Sequence, residues 1–489
     1  MTAFGDLLAF QRKTEALSAV AERLGWDQET MMPAGAAEQR GEEMAALEGV
    51  IHARRTDPRI GEWLAAITPA TPEEKAQTRL IAHSYARQTR VPGRLAEALA
   101  RLCSTAQGVW AAARASNDVK PFLPVLADLL ALKREEAACY ASGGTPYDAL
   151  LDGFEPGETG ASIAAMFTRM RPRLVALRDR VLAAEPCDAL QGTFDAQGQM
   201  TLARELAAVF GYDFNHGRLD LAVHPFSSGF GRDVRITTRV DERDPFNCFY
   251  STIHEVGHAS YELGIDPAFA MTPVGRGASM GVHESQSRIY ENQLGRSRAF
   301  AGWLHDRMQA VFGTSGAPDA NAFYRSMNRV RRGFIRTESD EVQYNLHVML
   351  RFDLERAMIG GDLGVADLEA AWNDRFLADF GVQVDVPSNG LLQDVHWASG
   401  AFGYFPTYCL GNVYAGCLHQ TLRRDIPDLD TQMAEGNLAF ATSWLHDKVQ
   451  SHGGLYEPRE IITRAVGVAP SEGPLLDYLE AKFGTLYGV

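Results

Sequence analysis

The chain has 489 residues, of which 46% are hydrophobic and 22% are charged, a composition typical of globular proteins. Its formal net charge of −15 argues against nucleic acid or an anionic membrane as the main partner, because both repel an acidic surface. No apolar run reaches the roughly 18 residues that a membrane-spanning helix requires, so we expect no membrane span.

The N-terminal segment and the cysteines both favour a cytoplasmic protein. The first residues contain no basic region before an apolar core and no cleavage site of small residues. The six cysteines are scattered and form no Cys-x-x-Cys pair. Such spacing is typical of reduced thiols and not of a disulfide framework or a cysteine zinc site.

Helical periodicity dominates the first 210 residues of the chain. Apolar residues recur at helical spacing, and the strong helix formers Ala, Leu and Glu are frequent. The pattern predicts helices over residues 4–24, 36–54, 73–90, 93–116, 121–143, 159–184 and 199–210.

The pattern changes at residues 213–240 and then returns to helices. Residues 219–223 and 233–240 alternate in polarity or carry β-branched side chains, which predicts two short strands. Residues 224–231 between them have the composition of a loop. Helices are predicted downstream over residues 246–263, 283–313, 320–331, 338–359, 366–379, 402–424 and 435–450.

These elements predict a mainly α protein with a small β element just before the helix at 246–263. Neither an internal repeat nor a long linker divides the chain, so we expect a single domain over residues 1–489. The alternative is two lobes: a helical one over 1–210, and one over 211–489 that contains the motif described next.

Residues 254–258, His-Glu-Val-Gly-His, form the most informative motif. On a helix, residues four apart lie on one face, about 6 Å apart along the axis, so both imidazoles can bind one metal ion. Glu255 points roughly 100° away around the helix, which sets its carboxylate beside the ion. Two ligands, a base and an open coordination position are what hydrolysis by a zinc enzyme needs. The competing interpretation is a surface helix with two unrelated histidines.

A catalytic zinc usually takes a third protein ligand, and the sequence offers three candidates after His258. We prefer Glu284, because a glutamate on the next helix completes a His₂Glu donor set. His283 is its rival, since adjacent residues point apart and only one of them can face the ion. Glu291, two turns further on, is a candidate to orient a ligand histidine.

Six motifs spread over the chain resemble those of the Taq-type metallocarboxypeptidases, a family of His-Glu-x-x-His enzymes. Ser339 stands where the family more commonly has alanine. The matching segments are residues 26–33 near the N-terminus, 224–226 (HPF), 233–237 (DxRxT), 283–288 (HESxSR), 335–340 (IRxEAD) and 390–397 (GxxQDxHW).

The resemblance implies a large helical zincin-type fold with a deep groove, assembled as a homodimer. It implies release of single C-terminal amino acids from peptides with broad side-chain tolerance. The glutamate of the HESxSR motif would be the third ligand of a zinc ion, which cobalt often replaces. The DxRxT and GxxQDxHW segments would close one end of the groove and restrict substrate length.

Such an enzyme also needs a cation for the terminal carboxylate of the peptide. Arginine is suited to this role because its planar fork pairs with both carboxylate oxygens. The resemblance favours Arg336, with Arg351 and Arg235 as rivals. Each of them could instead form a structural ion pair.

A developing oxyanion needs a hydrogen-bond donor, and several side chains are candidates for it. Tyr404, Tyr408 and His224 can donate, and the resemblance favours Tyr408. His396 and Asp394 are candidates to line the closed end of the groove. Core packing is the competing interpretation for the aromatic cluster, and a hydrogen-bonded core histidine is the one for His396.

The predicted mechanism is attack of a zinc-bound water on the scissile carbonyl, assisted by Glu255 as general base. Two alternatives stay open. An endo-acting zinc oligopeptidase would keep the metal residues but need no arginine for a carboxylate. A catalytically silent helical scaffold would retain a structural zinc, but such a site needs no base, and Glu255 argues against it.

Overall fold

The computed structural model describes residues 2–140 and 143–489. Contacts within the chain group them into two compact units of three segments each. The first unit runs to Gln88 and also includes Cys187–Asn328 and Tyr414–Pro470; the second contains Thr89–Pro186, Arg329–Val413 and Ser471–Val489. The lobe boundary considered near residue 210 falls inside the first unit, because the elements on both sides of it pack on one helix. The single domain stays a prediction.

Nine α-helices precede the strands within the described residues. The first four lie near the N-terminus, and the helix that follows residue 121 is described as far as Tyr140. The expected helical residues 141 and 142 lie outside the described residues. The helices are α1 (Ala3–Thr30), α2 (Ala37–Arg55), α3 (Pro58–Ala66), α4 (Pro72–Arg90), α5 (Gly93–Ser116), α6 (Phe122–Tyr140), α7 (Pro146–Leu151), α8 (Gly160–Ala183) and α9 (Ala196–Val209).

A small sheet follows, with strand order β1-β3-β2 and β3 in the centre. The strands are β1 (Leu219–Leu221), β2 (Ser227–Phe230) and β3 (Asp233–Thr238); β1 runs parallel to β3 and β2 antiparallel to it. The loop predicted over residues 224–231 is therefore wrong at β2. Its Ser-Ser-Gly composition resembles a loop, but pairing with β3 overrides it. At Gly229 (φ 105°) a Cβ would lie 2.1 Å from the Asp233 carbonyl oxygen, so only glycine fits this strand.

The remaining helices complete a mainly α fold, which confirms the predicted fold class with its small β element before the helix that carries residues 254–258. Among the described residues, no helix combines the length and apolar content needed to cross a bilayer. The helices are α10 (Pro245–Gly264), α11 (Met280–Arg288), α12 (Arg298–Phe312), α13 (Ala320–Met327), α14 (Glu341–Gly360), α15 (Leu368–Phe380), α16 (Pro406–Asp425), α17 (Leu429–Ala434), α18 (Ala439–Lys448), α19 (Pro458–Val466) and α20 (Gly473–Tyr487).

Several predicted helices differ from the observed ones in their bounds: the helix expected over 4–24 continues to Thr30, and the one expected over 320–331 ends at Met327. The helix expected over 283–313 is interrupted by a π-helical turn at Ile289–Gly295, and Ser297 then caps α12 by accepting from the Phe300 N–H at 3.1 Å. The helices expected from 402 and 435 begin only at α16 and α18. Gly403 and Gly436 have positive φ angles of 89° and 73°, which a helix does not allow.

One helix organises each unit. In the first unit α10 packs against α9, α11 and β3, and it buries apolar residues such as Phe249, Ile253 and Val256. In the second unit α14 packs against α7, α8 and α15. A buried polar stripe runs along α14 at helical spacing: Tyr344, His347, Arg351 and Glu355. Both helices therefore carry polar side chains inside a core, where each needs a partner.

Candidate metal centre

The imidazoles of His254 and His258 and the carboxylate of Glu284 converge on one point in the first unit. One ligand atom from each lies within 4.8 Å of the other two. The Glu284 Oε2 atom is 3.9 Å from His254 Nε2 and 3.5 Å from His258 Nε2. The set of two imidazole nitrogens and one carboxylate oxygen is what a catalytic zinc takes from a protein. The geometry thus brings together the three ligands expected from the sequence.

A glycine inside the motif brings the third ligand close. A Cβ at position 257 would lie 2.5 Å from the Ser287 Cα and 2.6 Å from the Gln286 carbonyl oxygen. The backbone of α11 therefore touches that of α10 at Gly257, which is possible only without a side chain. This contact sets Glu284 opposite the two histidines.

Glu255 lies on α10 next to the first ligand and is buried. Burial raises the pKa of Glu255 to about 7, with His254 opposing the rise and Glu284 adding to it. A carboxylate whose pKa lies near neutrality can both accept and return a proton, which is what a general base in hydrolysis must do.

The Nδ1 atom of His254 lies 2.9 Å from Glu291 Oε2, so the contact expected between Glu291 and a ligand histidine is present. Glu291 sits in the π-helical turn, a local feature that often occurs at functional sites. Arg288 donates to both acids, through Nε to Glu284 at 2.6 Å and through Nη1 to Glu291 at 3.2 Å. Burial would raise the pKa of Glu284, but Arg288 and the imidazoles outweigh it and hold that pKa below its usual range.

His283 does not join Glu284 in facing the two ligand imidazoles. Its Nδ1 atom lies 2.6 Å from the Nδ1 atom of His258, and its Nε2 atom lies 3.0 Å from Glu262 Oε1. Burial lowers the pKa of His258 to about 3, so that ring is neutral. Glu284 faces the Nε2 atoms of His254 and His258, whereas His283 contacts the Nδ1 atom of His258. The geometry therefore favours Glu284 over His283 as the third ligand.

A second polar cluster lies in the second unit around Asp394. Its carboxylate accepts from Arg336 Nη2 at 2.9 Å and from Arg351 Nε at 2.6 Å. Burial would raise the pKa of Asp394, but the two guanidinium groups hold it well below its usual range. Two cations share one anion here, which leaves one positive charge in excess among these three groups.

Aromatic side chains expected to contact substrate surround this cluster. The Arg336 guanidinium lies 5.0 Å from the centre of the Tyr408 ring, and the Tyr408 hydroxyl is 3.2 Å from His396 Nε2. The rings of Tyr404 and His396 are 5.7 Å apart. Burial lowers the pKa of His396 to about 4, so it is neutral at pH 7. The structure thus brings together four of the six predicted substrate residues.

The two other predicted substrate residues lie in different surroundings in the first unit. Arg235 on β3 pairs with Asp233 through Nε at 2.9 Å, and its guanidinium lies 4.5 Å from the centre of the Trp26 ring. His224 is exposed in the segment between β1 and β2. Arg235 therefore has a structural ion pair, the competing interpretation that the sequence offered for it.

Glu355 fixes the segment that carries the aromatic cluster, and sequence reasoning missed it. It is buried on α14, and its carboxylate accepts from the Tyr147 hydroxyl at 2.9 Å, the Trp397 indole N–H at 2.8 Å and the Gly403 N–H at 3.1 Å. The available signal was its spacing of four from Arg351 along one face of the helix.

Glu355→Gln is expected to flatten the pH dependence of stability. Burial raises the pKa of Glu355 to about 7, so the folded chain holds a proton that the unfolded chain, with a carboxyl pKa of about 4.3, releases. This contribution is present below the unfolded pKa and is lost as the pH rises through the folded one. The wild-type free energy of unfolding should fall by up to about 3 kcal/mol more than that of the variant between about pH 4 and about pH 8.

Urea unfolding at the two pH values measures this difference. Glu435→Gln, on an exposed position, is the matched control and should keep the wild-type pH dependence. If the free energy of unfolding changes equally with pH in the wild type and in Glu355→Gln, the carboxyl of Glu355 ionises normally in the folded protein.

The contacts of Arg288 with Glu284 and Glu291 are not among the predictions from the sequence, although Arg288 lies in the HESxSR segment. It follows Glu284 by four residues and precedes Glu291 by three, the two spacings that bring side chains together on a helix face. That spacing was the signal that could have identified it as the partner of both acids.

A helix bearing His-Glu-x-x-His, with a glutamate on the next helix facing both histidines and a buried glutamate beside the first of them, is typical of metal-dependent peptide hydrolases. The sequence profile of the family described as carboxypeptidase Taq (M32) metallopeptidase matches residues 6–483. The chain belongs to this metallopeptidase family.

Relatives of known name agree with this assignment along nearly the whole chain. Thermostable carboxypeptidase 1 of Thermus thermophilus is 39% identical, with 99% of each chain covered. Carboxypeptidase 1 of Bacillus subtilis is 34% identical over 99% of this chain and 98% of its own. The crystal structure of a carboxypeptidase of the same family from Deinococcus radiodurans superimposes with a TM-score of 0.96 at 38% identity, with both chains fully covered.

Proposed function

We propose that this protein is a zinc-dependent carboxypeptidase that releases single C-terminal amino acids from peptides with broad tolerance of the side chain. Membership of the metallopeptidase family and the names of its relatives support the reaction class. The observation that carries the proposal is the convergence of His254, His258 and Glu284 beside the buried Glu255.

In this proposal the side chains divide the chemistry among themselves. His254, His258 and Glu284 would hold a divalent ion, which would supply Lewis acidity toward the scissile carbonyl and would acidify a bound water molecule. Zinc, with cobalt as its replacement, suits the two nitrogens and one oxygen. Glu255 takes the proton from the attacking water and delivers it to the nitrogen of the departing amino acid.

We propose Arg336 as the group that binds the terminal carboxylate of the peptide. Its three hydrogen bonds, two to Asp394 and one to the Tyr344 hydroxyl, use three of the five N–H groups that a guanidinium carries. The remaining N–H groups can serve a ligand, and the excess positive charge shared with Arg351 favours an anion. Tyr408 is the proposed donor to the developing oxyanion.

The other residues predicted to contact substrate lie beside Tyr408 or in the first unit. Tyr404 and His396 lie beside Tyr408 and are proposed to line the substrate site with it. Arg235 and His224, in the first unit, are kept as candidates because the motifs that contain them resemble family motifs.

Two statements about the protein in the cell belong to the same proposal. We propose a cytoplasmic location, which the scattered spacing of the six cysteines, without a Cys-x-x-Cys pair, supports. We also propose a homodimer, on the family resemblance alone. Sedimentation of the purified protein at several concentrations tests whether it is a homodimer.

Amidation of the substrate C-terminus tests whether the enzyme acts on chain ends. A carboxypeptidase loses most of its activity on a peptide amide, because the carboxylate that Arg336 would bind is gone. An endo-acting oligopeptidase cuts the free acid and the amide at similar rates. No turnover of either peptide by the metal-loaded protein would instead support the silent scaffold.

Arg336→Lys is expected to lower kcat/KM on a free-acid peptide about 10²-fold and to leave the slow cleavage of the amide unchanged. Lysine keeps the charge but loses the planar fork that pairs with a carboxylate in two places. The ratio of kcat/KM on the two peptides measures the effect.

Arg173→Lys is the matched control for this variant. It replaces a partly exposed arginine of the same unit that pairs with Glu480 and Asp477, and such surface pairs contribute little. The role of Arg336 is contradicted if Arg336→Lys lowers the cleavage of both peptides by the same factor.

A further inference from the structure

We infer that Glu262 and His283 form a hydrogen-bond relay that fixes the tautomer of His258 for metal binding. The inference rests on the proposed metal site and adds to it two positioning residues. Neither of them faces the point where the three ligand side chains converge.

The relay joins three side chains one after another by hydrogen bonds: His258, His283 and Glu262. The Nδ1 atoms of His258 and His283 are 2.6 Å apart, and His283 Nε2 is 3.0 Å from Glu262 Oε1. Two ring nitrogens at hydrogen-bond distance share one proton, so one of them donates and the other offers its lone pair. The question is which of the two imidazoles is the donor.

Glu262 determines which of the two imidazoles donates. Its Oε1 atom already accepts from the Gly277 backbone N–H at 3.0 Å, so this oxygen is an acceptor. His283 therefore carries its hydrogen on Nε2 and donates it to Glu262. A neutral His283 then has a lone pair on Nδ1, which accepts the Nδ1–H of His258.

The tautomer of His258 determines whether its Nε2 atom can bind the metal. With its hydrogen on Nδ1, His258 has a lone pair on Nε2, the atom that lies 3.5 Å from Glu284 Oε2. If His283 were protonated on Nδ1 instead, His258 would carry its hydrogen on Nε2 and could not be a ligand. Glu262 thus acts on the ligand through an intervening ring, whereas Glu291 contacts His254 directly.

The surrounding backbone holds the relay tightly. A Cβ at Gly277 would lie 2.8 Å from His283 Cδ2 and 3.0 Å from Tyr261 Cε1, so the segment before α11 can close over the relay only with glycine there. The Tyr261 hydroxyl accepts from the Ala278 N–H at 3.0 Å and anchors the same segment. His283 therefore has little freedom to turn.

Equilibrium zinc affinity, measured by competition with a chromophoric chelator, tests the relay. His283→Ala and Glu262→Ala are each expected to weaken zinc binding about 10- to 100-fold. The double variant is expected to be no weaker than His283→Ala, because residues that act through one chain of bonds are not additive. Additive losses, or unchanged affinity in His283→Ala, would overturn the relay.

Two further variants separate this inference from the proposed site. His258→Ala removes a ligand and should lose more affinity than either relay variant; if it binds zinc like the wild type, the metal site itself is wrong. His216→Ala removes a surface histidine that pairs with Asp213 at 2.7 Å, and it should not change the affinity.

A measurement on the unaltered protein covers the case in which a relay variant does not fold. Nitrogen chemical shifts of the histidine rings in the zinc-loaded, ¹⁵N-histidine-labelled protein report each tautomer. The relay predicts hydrogen on Nε2 of His283 and on Nδ1 of His258. Hydrogen on Nδ1 of His283 would contradict it.

Discussion

Glu255→Gln is expected to keep its metal and to lower kcat for peptide cleavage by about 10²- to 10⁴-fold, the contribution of a positioned general base. Glutamine has the same shape, but its amide cannot accept a proton from water or return one to the leaving amine. Because Glu255 is not part of the group formed by His254, His258 and Glu284, the metal content should stay at the wild-type level.

Metal analysis and steady-state kinetics on the same preparation check this prediction. Glu48→Gln, at an exposed position on α2, is the control for the loss of one acidic charge and should retain full activity. Substantial turnover in Glu255→Gln would remove the proposed mechanism. Loss of metal from that variant would instead make Glu255 a ligand.

Glu284→Ala is expected to remove the metal and, with it, all measurable activity. Two imidazoles alone leave a site with too few protein ligands for a catalytic zinc. Because the variant leaves Arg288 with Glu291 as its partner in the site, the fold should survive. Glu284→Gln, which keeps the side-chain volume, is the second variant for the same test.

Glu291→Ala provides the graded comparison for this prediction. It removes a group that contacts His254 at Nδ1, so we expect about a 10- to 100-fold loss of metal affinity and not its abolition. Metal content after dialysis, with thermal unfolding as a check of folding, measures both variants. Unchanged metal content in Glu284→Ala would show that the ligand assignment is wrong.

Much of the metal centre could be predicted because it depends on helical spacing. Positions 254 and 258 share a face of any helix, so the pairing of the two imidazoles needs no tertiary information. The position of Glu284 requires tertiary information as well, because its approach depends on the contact of α11 with Gly257. The family resemblance supplied what the spacing could not.

The parts that could not be predicted depend on contacts between distant segments. Strand β2 has the composition of a loop and becomes a strand only by pairing with β3. The π-helical turn that carries Glu291 interrupts a continuous helical pattern without a glycine or proline signal at its start. The contact of Glu355 with Tyr147, Trp397 and Gly403 joins residues far apart in sequence.

The helices missed by periodicity have simpler causes. With six to nine residues each, α3, α7, α17 and α19 are too short to show a repeating apolar face. For α20 the signal was present, because Pro474 stands in its first turn and Leu475, Leu479 and Phe483 recur at helical spacing.

Mass analysis of peptide products tests whether the protein removes single residues from the free carboxyl end in a metal-dependent reaction. A short free-acid peptide is incubated with the protein after chelation and again after zinc is restored. We predict no change without metal and, with zinc, a ladder of products shortened by one residue at a time from the C-terminus. Internal fragments as the first products would show that the protein is an endopeptidase, and an equal ladder in the chelated protein would show that cleavage does not depend on a metal.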